Sequence, residues 1–365
     1  MGTRVRSFSK INLGLAIGPA RADGFHGLAT LYQTLALHDL VTVAVREPTS
    51  QDRDVGHLIG ESRITLTTNH PQVPTDGRNT AWKMVQLALA RMGVAAEVSI
   101  HIEKALPVQG GMGAGSANAA AALIGLEREL GMALPEGERL ALAAEVGSDV
   151  PLFLVGGAVL GLGRGEVVSA MPDLPATACV IAVPEAGVST PRAFRDWDER
   201  QGVASGGLTF GAGTDRLEML SHVYASVLGH PTESAPDTSG IVRGLSPEKK
   251  RESLSESSEH GNSLNGLAEN PFLALVRTGI ENDFETVVFP QYPLLREIKH
   301  ELMGIGSGSP ALYAALSGSG SALFGLYASM TDARAAQQRV QASGCKALLT
   351  ETLPRHEYWR TMFAE

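Results

Sequence analysis

An α+β protein of two domains is the fold class the sequence predicts, and three observations lead to it. The chain has 365 residues, more than one hydrophobic core ordinarily organises, so it should divide. Hydrophobic residues make up 44% and charged residues 19%, the balance of a soluble globular chain rather than a disordered one. Strand-like alternation and helical periodicity both recur, and a strand-like run at 178–184 marks the opening of a second unit.

Taken in order, residues 4–18 read as a first strand, with Ile11, Leu13, Leu15 and Ile17 alternating with other residues. Leu35 to Val45 is a second such run. Between them Asp23-Gly24 signals a turn that carries an aromatic and a histidine, Phe25 and His26. Residues 48–62 are polar, a loop or a hairpin insertion. Asn79 caps a helix with Trp82, Val85, Leu89 and Met92 on one face, and Gly93 ends it. Val98, Ile100 and Ile102 alternate with Ser99, His101 and Glu103, a strand with one wet face. A glycine-rich run follows, from Pro107 to Ser116. Ala117 to Leu130 is rich in alanine, the best helix former, with Ala119, Leu123, Leu126 and Leu130 on one face and Gly131 as its stop.

A shorter helix runs to about Val146, is broken by Gly147-Ser148-Asp149-Val150-Pro151, and is followed by the apolar run Leu152 to Leu160. Residues 200–266 differ in kind: Gly206-Gly207, Gly211 and Gly213, then Lys249-Lys250-Arg251, then Ser253, Ser255, Ser257 and Ser258. Apart from a short helix near Arg216 to Leu228, so little apolar content predicts a flexible insertion. Order resumes near Asn270, with Asn282-Asp283-Phe284, a helix through Leu294 to Met303, and Ser317-Gly318-Ser319-Gly320-Ser321 ahead of apolar Ala322 to Tyr327.

Composition removes several function classes. A formal net charge of -9 is a poor match for a nucleic-acid backbone, although local basic clefts for small anions stay open. Cys179 and Cys345 stand far apart and in no metal-ligand spacing, so a zinc site or a disulfide framework is not expected. Arg4, Arg6 and Lys10 precede no long apolar region, and no run of about 20 apolar residues exists, so neither a signal peptide nor a membrane span is read and the cytoplasm is the expected location. Asp173, Glu127 and the serine cluster read as surface.

The glycine run carries chemistry because of where it sits, between a strand and a helix N-terminus. Glycines let the backbone approach an anion and turn several N–H groups inward. A helix beginning directly after them adds its unpaired N–H groups and the positive end of its dipole. Ser116 can cap that helix, or bind a phosphate or hydrated Mg²⁺. A structural glycine turn is the plainer alternative. A Walker A loop would end in Gly-Lys-Ser/Thr, whereas Gly115-Ser116-Ala117 stands here. A dinucleotide fingerprint would put Gly or Ala at 116 and an acidic residue after the next strand; Ser116 stands there, and Glu127 and Glu129 fall in the helix.

At this loop the sequence resembles the GHMP kinases. Pro107-Val108-Gln109-Gly110-Gly111-Met112-Gly113-Ala114-Gly115-Ser116-Ala117-Asn118 is similar to their second motif. It is most similar to the branch that acts on a cytidine-diphosphate-linked methylerythritol. Ser7-Phe8-Ser9-Lys10-Ile11-Asn12 resembles that branch's opening strand, and Asp23-Gly24-Phe25-His26 its Asp-Gly-Tyr-His turn. Gly147-Ser148-Asp149-Val150-Pro151 resembles its Gly-x-Asp-Val-Pro, Asn282-Asp283-Phe284-Glu285 an Asn-Asp-Leu/Phe segment, and Ser317-Gly318-Ser319-Gly320 the third motif. The matches run in order along almost the whole chain, except 48–62 and 200–266. Met112, Ala114, Ala117 and Phe25 depart from the usual Leu, Gly, Ser and Tyr.

The resemblance implies a ribosomal protein S5 domain 2-like N-terminal domain over 1–172 and a ferredoxin-like C-terminal domain over 173–365. It implies ATP and Mg²⁺, a small-molecule substrate, no nucleic acid or membrane partner, and a monomer or homodimer. Asp149 takes the role of base and Lys10 of its cationic partner, while Asn12 holds the polyol or the base. Phe25 and His26 read the cytosine, and Phe194 closes its other side. The loop from Pro107, Val108 and Gln109 through Gly110, Gly111, Met112, Gly113, Ala114, Gly115, Ser116 and Ala117 holds ATP, with Lys104 reaching phosphate or adenine. Mg²⁺ is expected on phosphates and water, with Ser116 as a candidate ligand. Each residue alone has a plainer reading: a turn aspartate, solvated lysines, an ordinary strand asparagine, a structural histidine, a core phenylalanine. Two rivals remain, a homoserine or mevalonate-type GHMP kinase and a catalytically silent GHMP-fold binding protein.

Overall fold

The structure is a computed structural model that describes residues 2–21, 24–46, 62–108, 110–204 and 281–365. Asp23, Gln109, the polar segment up to residue 61, and the chain from 205 to 280 lie outside the described residues. So do the helix expected near Arg216 to Leu228, the resumption near Asn270 and the serine cluster.

The chain opens on two long antiparallel strands, β1 (Thr3–Ala20) and β2 (His26–Arg46). β1 is buried on both faces from Ser7 to Gly18. That burial explains its near-continuous apolar run and singles out its polar members, Ser7, Ser9, Lys10 and Asn12. β3 (Arg63–Thr68), α1 (Thr80–Met92), β4 (Glu97–Glu103), α2 (Ala114–Leu130), α3 (Glu136–Val146), β5 (Ala158–Gly163) and β6 (Val167–Ala170) complete the first unit. β2 serves two neighbours: Leu28–Gln33 pairs with β5 and Leu40–Arg46 pairs with β4.

The second sheet is antiparallel, in the order β10 (Lys346–Glu351), β7 (Ala178–Val183), β9 (Leu323–Tyr327), β8 (Tyr313–Leu316). Helices α4 (Thr190–Ala204), α5 (Glu285–Gln291), α6 (Pro293–Met303) and α7 (Met330–Ala342) belong to this unit. α8 (Arg355–Arg360) and β11 (Phe363–Ala364) then return to the first unit, where β11 pairs with β1 and Tyr358 enters the core. The α+β, two-domain expectation is met. Among the described residues no helix is long and apolar enough to cross a membrane.

Three apolar clusters hold this together. One lies between the first sheet and α1 and α2, with Val41, Val43, Val98, Ile100 and Leu123. A second joins the last sheet to its helices through Val180, Phe284, Ile298 and Leu323. The third packs Ile11, Leu13, Leu31 and Leu35 against Cys179, Ile181 and Phe324, so the two sheets meet face to face behind the middle of β1.

Four local expectations need correction. α1 is capped by Asn79 and ended by left-handed Gly93 as expected, but it buries Ala81, Met84, Val85, Ala88 and Leu89, while Trp82 and Met92 sit at the margin. Its alanines allow close packing on α2, and that packing turns the buried face. α2 starts at Ala114, three residues before the expected Ala117, with Gly113 and not Ser116 at the cap. It is buried continuously from Ala117 to Glu127 rather than on one stripe. Gly125 lets it press on the sheet, since a Cβ there would come within 2.8 Å of Val43 Cγ2. Glu127, expected at the surface, is buried there beside Arg139 at 3.1 Å and accepts the Leu134 N–H.

Candidate active site

Lys10 and Asn12 stand two residues apart on β1 and so leave the same face. The Lys10 ammonium, 2% exposed, carries three contacts. Asp149 Oδ2 lies 3.3 Å away, and Nζ donates to Asn12 Oδ1 at 2.7 Å and to the Gly111 carbonyl at 2.8 Å. An ammonium has three protons, and a buried one is tolerated only when it is paired in this way. Asn12 is steadied in turn by its amide donating to Thr30 Oγ1 at 2.7 Å. Asp149 comes from the turn after α3, where Val150 N bonds to Gly147 O and Pro151 starts a short 3-10 turn. Its side chain is 33% exposed, so the carboxylate pairs with the lysine and still reaches solvent.

Sequence reading missed Tyr32. Its hydroxyl donates to Asp149 Oδ1 at 3.0 Å. Burial foremost, then the Asp149 charge and that hydrogen bond, push the phenol well above its ordinary pKa, so Tyr32 stays protonated and donates. Tyr32 is the direct cross-strand partner of Asn12. That register was the available signal, but β1 and β2 slip between Phe8 and Lys10 and again between Asn12 and Gly14, so it cannot be counted from the turn.

The glycine loop closes the other side of Lys10. Gly110, Gly111 and Gly113 have φ of 123°, 79° and 69°, where a side chain is strained. A Cβ on Gly111 would fall 2.1 Å from the Ser317 carbonyl oxygen, and one on Gly113 would meet Phe153 and the Lys10 stem at 3.0 and 3.1 Å. Ser317 Oγ donates to Gly111 O at 3.0 Å, and Ala322 N to Gly110 O at 3.1 Å, so the third motif braces the loop. Asn282 holds that motif in turn through the Leu316 and Gly318 carbonyls. The first helical bond of α2 runs from Ala117 N to Gly113 O, which leaves the N–H groups of Ala114, Gly115 and Ser116 without intrahelical partners.

The expected nucleotide-loop residues separate by role. Met112 is buried in the core between the sheets, and its carbonyl accepts the Lys10 N–H. Ala117 is buried in α2, while Pro107, Val108 and Ser116 are half-buried. Lys104 does not reach toward the loop with a free charge. Its ammonium pairs with Asp39, both side chains are buried, and Asp39 also accepts the N–H groups of Ala105 and Leu106. Among the described residues no cluster of three or more His, Cys, Asp or Glu could hold a metal ion.

The base corner is different. Phe25 is exposed, with the Arg164 guanidinium 4.9 Å from its ring centroid. His26 is buried; Nδ1 meets the Gly18 carbonyl at 3.0 Å and Nε2 lies 3.2 Å from Asp198 Oδ1. Phe194 stacks on the imidazole at 5.1 Å and meets Phe284 edge-on. The structure therefore brings His26 and Phe194 together, while Phe25 meets the Arg164 guanidinium. Gly165, between β5 and β6, lies against the Asp149 corner: a Cβ there would fall 2.4 Å from Tyr32 Oη and 3.9 Å from Asp149 Oδ1.

Comparison with known proteins agrees along the chain. Residues 79–157 match the GHMP kinases N terminal domain, and residues 265–346 match the GHMP kinases C terminal. The 4-diphosphocytidyl-2-C-methyl-D-erythritol kinase of a Synechococcus species (strain JA-2-3B'a(2-13)) is 32% identical over 98% of this chain and 92% of its own length. The protein of the same name from Caldicellulosiruptor saccharolyticus is 30% identical over 95% of this chain and 96% of its own. A crystal structure of 4-(cytidine 5'-diphospho)-2C-methyl-D-erythritol kinase superposes with a TM-score of 0.60 at 26% identity, covering 96% of this chain and 98% of that one.

Proposed function

The chain belongs to the 4-diphosphocytidyl-2-C-methyl-D-erythritol kinases of the GHMP kinase family, and from that premise we propose that it transfers the γ-phosphoryl group of ATP to the 2-hydroxyl of 4-diphosphocytidyl-2-C-methyl-D-erythritol. The observation that carries this reading is Lys10 Nζ at 3.3 Å from Asp149, beside a braced glycine loop at the start of α2.

An alcohol is a weak nucleophile, and phosphoryl transfer is helped mainly by positioning and by charge stabilisation. Asp149 accepts the hydroxyl proton through its partly exposed carboxylate. Lys10, held by Asn12 and the Gly111 carbonyl, orients the carboxylate and offsets negative charge as it grows on the transferring group. Tyr32 fixes Asp149 Oδ1, which directs Oδ2 to the lysine side. The N–H groups of Ala114, Gly115 and Ser116 at the start of α2 would hold ATP phosphate oxygens. The half-buried Ser116 hydroxyl would be the candidate protein ligand for Mg²⁺, which would supply charge neutralisation when bound with ATP. The soluble nucleotide substrate accords with a cytoplasmic enzyme. The roles assigned to Phe25, His26 and Phe194 at the cytosine belong to the same proposal.

The test is phosphoryl transfer to the cytidine substrate by wild type, Asp149→Asn and Lys10→Ala. Each variant is expected to lose about a hundredfold or more in kcat. Activity near wild type in both would overturn the assignment.

A further inference from the structure

The turn between β5 and β6 carries a cation that belongs to neither corner. Leu162 and Val167 are the last cross-strand pair, so Gly163-Arg164-Gly165-Glu166 makes the turn. Gly165 N–H closes it on the Leu162 carbonyl at 2.9 Å. Gly163 and Gly165 have φ of 73° and 103°, conformations that a side chain resists, so the backbone on both sides of Arg164 is set by glycine. Each flank of the turn has a neighbour. Gly163 is the cross-strand partner of Leu28, two residues beyond His26, and the Arg164 guanidinium lies 4.9 Å from the Phe25 ring centroid. On the other flank Gly165 abuts Tyr32 and Asp149. Arg164 therefore stands between the Phe25-His26 turn and the carboxylate proposed as the base.

The guanidinium is oriented at one edge only. Glu166 Oε2 accepts the Arg164 backbone N–H, and Glu166 Oε1 lies 3.4 Å from Nε. Among the described residues the two terminal nitrogens of Arg164 have no hydrogen-bond or ion-pair partner. At 3.4 Å the contact with Glu166 is longer than a tight charge-assisted bond, and the Arg164 side chain is 33% exposed, so an anion can reach it. The two lysines of the site are committed elsewhere, Lys10 to Asp149 and Asn12, and Lys104 to Asp39. A guanidinium suits a phosphate better than an ammonium does, because its planar fork of N–H groups matches two phosphate oxygens at once. Contact with an aromatic ring holds the fork without using those donors.

We propose that Arg164 binds the diphosphate of the substrate through its terminal nitrogens. This rests on the reading that the substrate is a cytidine-diphosphate-linked polyol. Such a molecule runs base, diphosphate, polyol, and the Phe25-His26 turn, Arg164 and Asp149 follow one another in the same order. Arg164 then fixes the substrate by its middle, which keeps the alcohol beside Asp149 while the guanidinium itself touches no reacting atom.

The experiment uses the full chain and two soluble probes, CDP and cytidine, which differ only in the diphosphate. Affinities are measured by calorimetry for wild type, Arg164→Gln and Arg164→Lys, alongside KM for ATP. Wild type is expected to bind CDP at least about tenfold more tightly than cytidine, the scale of a hydrogen bond between charged groups. Arg164→Gln should narrow that ratio to within about threefold by weakening CDP, with cytidine affinity and KM for ATP unchanged. Arg164→Lys, which keeps the charge and loses the fork, should fall between the two. An Arg164→Gln variant that keeps the wild-type ratio of CDP to cytidine overturns the proposal and leaves the cytidine reading standing. Equal weakening of CDP and cytidine marks a structural role for Arg164 beside Phe25 and also overturns it. A wild-type chain that binds neither probe overturns the cytidine reading and the proposal together.

Discussion

At the proposed catalytic corner the polar side chains are paired and packed in place, while at the proposed base corner the candidate recognition groups contact one another. Lys10 is sealed in β1 with three contacts, and the loop beside it is braced by the third motif. Phe25 stands exposed, and His26 is stacked on Phe194 and paired with Asp198 from α4. The contrast follows from what each corner rests on. The first is framed by a strand buried on both faces and a helix buried over most of its length, where packing leaves one arrangement. The second rests on a turn and on one helix of the other domain, and a base must enter between groups that now touch. On the proposed assignment, preorganisation is concentrated where charge would develop, and adjustment where the substrate would be recognised.

The rigid corner should break hardest. Gly111→Ala places a methyl group 2.1 Å from the Ser317 carbonyl oxygen, at a φ of +79°. Loop and third motif must then part, and kcat/KM is expected to fall by about a hundredfold, since a shift of an ångström can cost that much. A smaller effect at the same corner comes from Tyr32→Phe. It removes one hydrogen bond to a charged group, so kcat should drop about tenfold while KM for the cytidine substrate barely moves. The adjustable corner should show the opposite split. Phe194→Ala removes the ring stacked at 5.1 Å on His26, and KM for the cytidine substrate should rise about three- to tenfold with kcat within about twofold. Steady-state kinetics with ATP and the cytidine substrate varied in turn separates these outcomes.

The smallest expected effect sharpens what burial means away from both corners. Burial raises the Glu127 pKa above its ordinary 4.5, against the lowering by Arg139 and the Leu134 N–H. The folded state then holds this proton more tightly than the unfolded one. Glu127 therefore contributes stability at acid pH that declines as pH rises from about 4.5 through the raised folded value. Glu127→Gln keeps an acceptor for Leu134 N–H and removes that titration. Its melting temperature should fall less over that interval than wild type, as measured by thermal unfolding at a series of pH values.

Much of the catalytic corner was legible in the sequence because its signals are local. Alternation along residues 4–18 puts Lys10 and Asn12 on one face, and the Lys10 Nζ–Asn12 Oδ1 bond agrees. Glycines between a strand and an alanine-rich helix marked the loop, although the helix begins at Ala114 and takes Ser116 into its first turn. Tyr32, Asp198 and the Lys104–Asp39 pair were not legible. Tyr32 meets Asp149 across 117 residues of chain, through a register that irregularities interrupt. Nothing near Lys104 in sequence announces its pairing with Asp39, 65 residues earlier.

By itself, then, the sequence determined the order of strands and helices, the glycine loop and the chemical type of each candidate group. Periodicity, backbone permissiveness and side-chain chemistry are properties of short segments, and they survive without knowledge of the rest. Only the tertiary structure decided which polar groups meet: lysine with aspartate and tyrosine, a second lysine with a buried carboxylate, histidine with the ring and carboxylate of α4. Those meetings depend on how two sheets pack behind β1 and on the register of β1 against β2, and a slip of one residue would turn each side chain to the other face.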